Sequence, residues 1–129
     1  MMKGEKGFDL EERLIDHAVK IIQVTESLPK SMTGKHIAGQ LVRSGTSPAA
    51  NYGEAQSAES RADFIHKMKM ALKELRESRV WMLMVVKANI VKQPTKLDPI
   101  IEENNQLISI FVKSISTAQK NSRKIQPSK

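Results

Sequence analysis

The chain of 129 residues contains no cysteine, and only 4% of its residues are aromatic. Without cysteine, disulfides and cysteine-ligated metal sites are excluded, which fits a reducing compartment. Few aromatic side chains argue against a single-strand-binding platform on which nucleobases stack. The start of the chain, from Met1 to Gly7, contains no apolar stretch typical of a signal peptide, and the most apolar run, from Val80 to Val86, is too short to cross a bilayer. We therefore expect a soluble, cytoplasmic protein without a membrane partner.

Positive charge is in excess, because 21 Lys and Arg residues stand against 14 Asp and Glu residues, for a formal net charge of +7. Such an excess favours polyanions, chiefly nucleic acids, through the release of condensed counterions. The alternative is that Lys and Arg only solvate helix surfaces, since charge alone discriminates weakly. The balance of charge thus favours RNA or DNA as a partner without establishing one.

Apolar residues recur at steps of three and four in four segments, and no segment of useful length alternates as a strand would. This spacing predicts helices over residues 9–27, 33–57, 61–91 and 98–119. In the first helix, Ile15 and Ile22 widen the apolar stripe toward a face suited to a helix bundle. Pro48 lies inside the second helix, where it predicts a kink or a local break.

Polar residues at the segment starts support these boundaries. Asp9 and Asp98 are suitable N-caps, and Ser60 with Asp63 forms a cap pair at the third segment. Four amphipathic segments with short connections imply an all-α fold, an antiparallel up-down-up-down four-helix bundle. We expect a single domain over residues 1–119, followed by a basic, disordered tail over residues 120–129.

The segment 43–57 is rich in Gly, Ser and Pro, yet its apolar residues keep helical spacing. On a helical wheel, a packing face of small residues lies opposite a polar stripe of Arg43, Ser47, Asn51 and Glu54. This stripe is either a solvated face with hydrogen bonds inside the helix or a polar network across a helix or subunit contact.

Arg79 interrupts the core stripe of the third helix, between two leucines. A buried Arg needs a partner, and Glu54 is the predicted one. The alternative is that the stem of Arg79 packs while its guanidinium reaches water. We assign Arg79 to the predicted polar network.

The first half of the third helix carries a basic stripe, His66, Lys69, Lys73 and Arg76, at steps of three, four and three. Such a ridge could follow phosphates, with Lys as point charges and Arg as a bidentate donor. Alternatively, the stripe is only solvated and pairs with Glu74 and Glu77. We take the four basic residues as the candidate nucleic-acid-binding surface.

The second half of the same helix has no polar residue from Val80 to Val86. A helix that is apolar all round needs cover on more than one side. Val80, Trp81, Met84 and Val85 point away from the predicted core stripe, and we predict that a second subunit covers them, because Trp and Met suit interface anchors. The alternative is cover by the fourth helix or a loop of the same chain.

No catalytic or metal-binding constellation is recognisable. The three histidines, at positions 17, 36 and 66, form no close His pair with a carboxylate, and no Glu-x-x-His motif of a di-iron bundle occurs. Glu74 and Glu77 are flanked by cations and are interpreted as structural ion partners. We therefore expect no catalytic residues, no metal, no cofactor and no enzymatic activity; a hydrolase or nuclease is the weakest of the hypotheses.

Three stretches resemble a known family: Arg43 to Ala55, Glu59 to Lys67 and Ala71 to Glu77 are similar to signatures of the four-helix bundle proteins of the 23S rRNA intervening-sequence (S23) family. The resemblance covers nearly the whole chain from Phe8 into the fourth helix. It implies an antiparallel bundle that assembles into a homopentameric ring, often encoded within insertions in 23S rRNA genes. The family motif falls on Arg43, Ser44, Asn51, Glu54, Glu74 and Glu77, which the resemblance assigns to folding and assembly.

A related branch of the family is the accessory protein of diversity-generating retroelements, which resembles a basic pentamer that contacts reverse transcriptase and nucleic acid. The leading hypothesis is therefore a non-enzymatic, oligomeric bundle that binds RNA or DNA through a basic surface, alongside a ribosomal or reverse-transcriptase partner. The alternative is an assembly or adaptor ring that does not bind nucleic acid directly.

Overall fold

The structure, a computed structural model, describes residues 9–125, with side chains over residues 9–121. Four helices follow one another in this range: α1 (Leu10–Ser27), α2 (Met32–Gln56), α3 (Arg61–Ala88) and α4 (Asp98–Ile125). A 3₁₀ turn over Pro94–Leu97 precedes α4, and no strand occurs among residues 9–125. The all-α prediction is confirmed.

Side-chain caps fix the starts of the first three helices. Asp9 accepts a hydrogen bond from the amide of Glu12 at 3.3 Å, and Ser60 accepts one from the amide of Asp63 at 3.0 Å. Both caps confirm the prediction. Helix α2 begins one residue before the predicted Thr33, because the hydroxyl of Ser31 accepts from the amide of Gly34 at 3.1 Å.

The ends near the α3–α4 connection differ from the prediction. Helix α3 stops at Ala88 rather than at Val91, because Asn89 adopts the left-handed conformation (φ 56°, ψ 41°) that Asn tolerates at helix ends. Asp98 has helical backbone angles, φ −54° and ψ −49°, since the 3₁₀ turn leads directly into α4. It is therefore the first residue of α4 and not an extended N-cap.

Helix α4 runs to Ile125, so the predicted end at Gln119 was six residues too early. The sequence contains no Gly or Pro between that residue and Pro127, so nothing in it stops the helix there. The part of the predicted tail up to residue 125 is helical. Residues 126–129, and residues 1–8 of the predicted domain, lie outside the described residues.

Two clusters of buried apolar side chains hold the helices together. In the first cluster, residues from the first halves of α1 and α3 pack against the end of α2 and the middle of α4. Its members are Leu10, Leu14, Ala55, Met68, Ala71, Leu75, Leu107, Phe111 and Ile115. In the second cluster, residues from the ends of α1 and α3 pack against the first half of α2 and the 3₁₀ turn. Its members are Ile21, Val24, Leu28, Ile37, Leu41, Met82, Val85 and Leu97. Helix α2 packs against both α1 and α3, and α4 packs mainly against α3.

Helix α2 continues through Pro48, so the local break predicted there is not found. Pro48 is fully buried, and its ring contributes to packing although it cannot donate a backbone hydrogen bond. In the preceding turn, Thr46 and Ser47 donate to the carbonyls of Val42 and Arg43 at 2.8 and 2.7 Å. These hydroxyls add donors to carbonyls of the preceding turn, but neither donates to the carbonyl of Ser44, which lacks an amide donor at position 48.

The small residues of α2 serve close packing where they face α1. A Cβ atom at Gly45 would lie only 2.5 Å from Cγ2 of Ile21, so α1 approaches the backbone of α2 too closely for any side chain there. The predicted packing face of small residues is confirmed at this position.

Candidate nucleic-acid interface

The basic stripe of α3 is a solvent-exposed surface in the structure. His66, Lys69, Lys73 and Arg76 are all exposed, and none of their side chains has a hydrogen bond or ion pair with another described residue. The stripe therefore does not pair with Glu74 and Glu77, which was the alternative interpretation. Three permanent cations and one histidine are left available on one helix face.

Glu74 and Glu77 are engaged by a cation from the neighbouring helix. The guanidinium of Arg43 in α2 donates from Nη1 to Oε1 of Glu74 at 3.0 Å and from Nη2 to Oε2 of Glu77. The same oxygen of Glu77 also accepts from Nε1 of Trp81 at 3.0 Å. The two glutamates are ion partners, as expected, but of Arg43 rather than of the cations beside them in α3.

A second link between α2 and α3 lies beneath this ion pair. The hydroxyl of Ser78 donates to the hydroxyl of Ser44 at 2.9 Å, and both serines are fully buried. Arg43 and Ser44 therefore fasten α2 to α3 from adjacent positions, one at the surface and one inside. This explains why the unusual segment of α2 is polar on the side that meets α3.

The other members of the predicted polar network do not form one network. Glu54 accepts from Nζ of Lys67 at 2.8 Å, whereas Nε of the exposed Arg79 donates to Oδ1 of Asn105 in α4 at 3.2 Å. The predicted pair of Arg79 with Glu54 is wrong. Twelve residues of α3, about 18 Å along its axis, separate Arg79 from the level of Glu54.

Ser47 and Asn51 also fall outside a shared network. Ser47 donates only within α2, to the carbonyl of Arg43. Asn51 is half-buried, and its side chain has no hydrogen bond to another residue that the structure describes. In the polar stripe of α2, Arg43 and Glu54 thus form separate ion pairs with α3, whereas Ser47 forms a hydrogen bond inside the helix.

The four residues predicted to contact a second subunit divide into three groups. Val80 and Met84 are 46% and 47% exposed. Trp81 is half-buried, packs against the second core cluster and meets the ring of His36 edge-on at a centroid distance of 5.8 Å. Val85 is 0% exposed, so its assignment to an interface is wrong. It lies three residues after Met82 and therefore shares the core-facing side of the helix.

Helix α1 carries an exposed apolar stripe that the sequence analysis assigned differently. Ile15, Val19 and Ile22, at steps of four and three, are each between 38% and 47% exposed. The prediction that Ile15 and Ile22 widen the core-facing stripe is therefore wrong. Exposed acidic residues surround this stripe: Glu11, Glu12, Asp16 and Glu26.

A buried polar group of α1 was also missed. His17 is 2% exposed, and its Nε2 lies 2.7 Å from Oδ1 of Asn104, while Nδ2 of Asn104 donates to the carbonyl of Leu75 at 2.9 Å. These contacts join α1, α4 and α3. Burial is the main cause that lowers the pKa of His17, and it outweighs the hydrogen bond with Asn104. The imidazole is neutral near pH 7 and donates from Nε2.

An ion pair at the surface accompanies this buried link. Arg13 of α1 donates from Nε and Nη2 to the two carboxylate oxygens of Glu103 at 2.7 and 2.9 Å. The hydrogen bond from Arg13 is the main cause that lowers the pKa of Glu103. His17 and Asn104 had a sequence signal, since each polar residue interrupts an apolar stripe; Arg13 and Glu103 had none.

Among residues 9–125, no group of three or more His, Cys, Asp or Glu side chains is placed to hold a metal ion. In the same range no helix combines the length and the apolar character needed to span a membrane.

Comparison with known proteins agrees with this four-helix structure. The family model described as 23S rRNA-intervening sequence protein matches residues 8–113. A crystal structure from Bacteroides thetaiotaomicron, of a protein with unknown function from the S23 ribosomal protein family, is similar with a TM-score of 0.75. Its sequence is 28% identical, and the match covers 82% of this chain and 94% of that chain. No curated protein matches the chain.

Proposed function

The chain belongs to the 23S rRNA-intervening sequence protein family, and from this premise we propose that it is a non-enzymatic, oligomeric protein that binds RNA or DNA through the basic face of α3. We define this basic face by His66, Lys69, Lys73 and Arg76. The observation that carries the proposal is that these four exposed side chains lack partners within residues 9–121 while Arg43 occupies the neighbouring glutamates. The link to 23S rRNA intervening sequences favours RNA as the ligand.

The dimensions of the basic face suit a phosphate backbone. Ten residues separate its first and last members, which is about 15 Å along the helix. A few phosphates of one strand fit within that length, because B-form DNA carries one phosphate per strand for about every 3.4 Å of its axis. The scarcity of aromatic residues leaves backbone contacts, rather than base stacking, as the main source of affinity.

A charge-matched comparison tests the basic face. The triple variant Lys69→Gln, Lys73→Gln, Arg76→Gln should bind a short synthetic RNA much more weakly than the wild type, measured by fluorescence anisotropy at low salt. The control triple Lys30→Gln, Lys35→Gln, Lys113→Gln removes the same number of exposed charges and should keep most of the affinity. Absence of wild-type binding at low salt would favour the alternative, an adaptor ring such as a reverse-transcriptase accessory protein.

We further propose that the helices run antiparallel and that copies of the chain associate head to tail. Each core cluster joins one end of α1 and α3 to the opposite end of α2. Two exposed apolar surfaces are complementary in charge: Ile15, Val19 and Ile22 lie among acidic residues, whereas Val80 and Met84 lie beside Arg79 and Lys87. Contact of the α1 surface of one copy with the α3 surface of the next can close a ring. The resemblance noted from the sequence favours a pentamer.

A further inference from the structure

A groove of about 910 Å³ opens beside the α3–α4 connection, away from the basic face of α3. Its volume lies in the range of sites that take small organic molecules. The second half of α1 forms one wall, and the connection with the start of α4 forms the other. No residue of this groove belongs to the proposed nucleic-acid surface.

The interior of the groove is apolar. Val24 and Leu97 are buried in the second core cluster at its base, and Ile90, Val91 and Ile100 are half-buried against the same cluster. Asn89, which ends α3, and the 3₁₀ turn over Pro94–Leu97 give the connection a defined backbone, and Pro94 restricts it further. The groove is therefore preformed, and the apolar part of a ligand can enter it without ordering the walls.

The rim of the groove is positive. Lys20, Lys92 and Lys96 are exposed and form no ion pair with another described residue. Among the described residues, the only carboxylate that lines the groove is that of Glu103, and it accepts hydrogen bonds from Nε and Nη2 of Arg13. Three ammonium groups thus face a ligand without a competing free carboxylate, which favours an anionic group at the rim.

From this arrangement we propose that the groove binds a small organic anion with an apolar body, such as a medium-chain carboxylate or an aryl sulfonate. The apolar part lies on Val24, Leu97 and Ile100, and the acidic group lies among the three lysines. A nucleobase fits less well, because none of the described residues that line the groove is aromatic and bases are usually held by stacking.

A matched pair of fluorescent probes tests the proposal on the full chain. 8-Anilinonaphthalene-1-sulfonate carries the sulfonate, and N-phenyl-1-naphthylamine has the same aromatic body without it. The anionic probe should bind at one saturable site per chain and be displaced by decanoate. The pair of changes Lys92→Gln and Lys96→Gln should raise its dissociation constant about tenfold, while binding of the neutral probe changes little.

Two further variants make the result decisive. Lys35→Gln with Lys113→Gln, which removes equal charge outside both the groove and the basic face of α3, should leave the dissociation constant of the anionic probe unchanged. Val91→Ser, in the wall of the groove, should weaken both probes while circular dichroism shows an intact fold. Non-saturable binding, or equal losses from the two lysine pairs, would overturn the proposal. RNA binding by the variant Lys92→Gln, Lys96→Gln is measured in parallel, so that the proposal for the groove and the proposal for the basic face of α3 are tested independently.

Discussion

At the scale of single residues, His17 is the clearest source of pH dependence in the described part of the chain. Burial lowers its pKa in the folded state below the usual value. As the pH falls below about 6.5, the unfolded chain therefore takes up a proton that the folded chain does not. The contribution of His17 to stability is complete above that pH and declines as the pH approaches the lowered pKa.

The free energy of unfolding should accordingly fall between about pH 7 and about pH 5, with a slope of up to about 1.4 kcal/mol per pH unit. The variant His17→Gln keeps a donor toward Asn104 and should flatten the slope in that range, as measured by urea denaturation. The matched change His66→Gln, at an exposed ring without a partner in the described residues, should keep the wild-type slope. An equally steep slope in His17→Gln would contradict the assignment.

Contacts that depend on one residue were predicted least well, because they depend on how distant segments align. His17 and Asn104 each interrupt an apolar stripe, so their burial could be anticipated. Their pairing could not, because the two residues are 87 positions apart in the sequence. Arg79 was assigned to Glu54 on charge alone, and the distance along α3 excludes that pair. Val85 was misassigned because the run from Val80 to Val86 is apolar throughout and gives no polar marker for the core-facing side.

At the scale of helices, the packing of α1 on α2 rests on Gly45. The variant Gly45→Ala places a Cβ atom 2.5 Å from Ile21 and should lower the free energy of unfolding by about 1–3 kcal/mol. At Gly53 nothing lies within 4 Å of an added Cβ atom, so Gly53→Ala should raise it by up to about 1 kcal/mol through helix propensity. Urea denaturation at equal protein concentration compares the two.

The essential result of that comparison is that the free energy of unfolding falls in Gly45→Ala and rises in Gly53→Ala. If Gly45→Ala were as stable as the wild type, the close approach of α1 and α2 would be contradicted. If both variants were destabilised equally, the loss would come from the helix α2 itself rather than from its contact with Ile21.

Helix identity and most helix starts could be predicted because they depend on local chemistry. Asp9 and Ser60 cap the helices that their sequence positions indicate, and the spacing of apolar residues marks all four segments. Helix ends were less predictable. Helix α3 ends at Asn89 through a left-handed conformation, which Asn tolerates but does not require. Helix α4 continues through polar residues that neither favour a helix strongly nor stop one. The local break predicted at Pro48 is not found, because α2 continues through this buried residue.

At the scale of the whole molecule, the two exposed apolar surfaces predict the subunit contact. Val19→Lys places a positive charge against the basic surface of α3, and Met84→Glu places a negative charge against the acidic surface of α1. Each should dissociate the oligomer without unfolding the chain, because both side chains are more than 40% exposed. Analytical ultracentrifugation checks this outcome.

A control for this prediction lies on α4, where Val112 is equally exposed but outside both surfaces. Val112→Asp should leave the assembly intact. A monomeric wild type, or equal dissociation by Val112→Asp, would contradict the proposed head-to-tail contact.

The salt dependence of RNA binding tests the central proposal most directly. The slope of log K against log salt concentration reports how many phosphates the protein neutralises. Replacing Lys69, Lys73 and Arg76 together by Gln should make that slope shallower by about 2–3, since each lost phosphate contact removes roughly one. The control triple at Lys30, Lys35 and Lys113 should keep the wild-type slope. Equal slopes for both triple variants, or no binding by the wild type at low salt, would contradict a nucleic-acid site on α3.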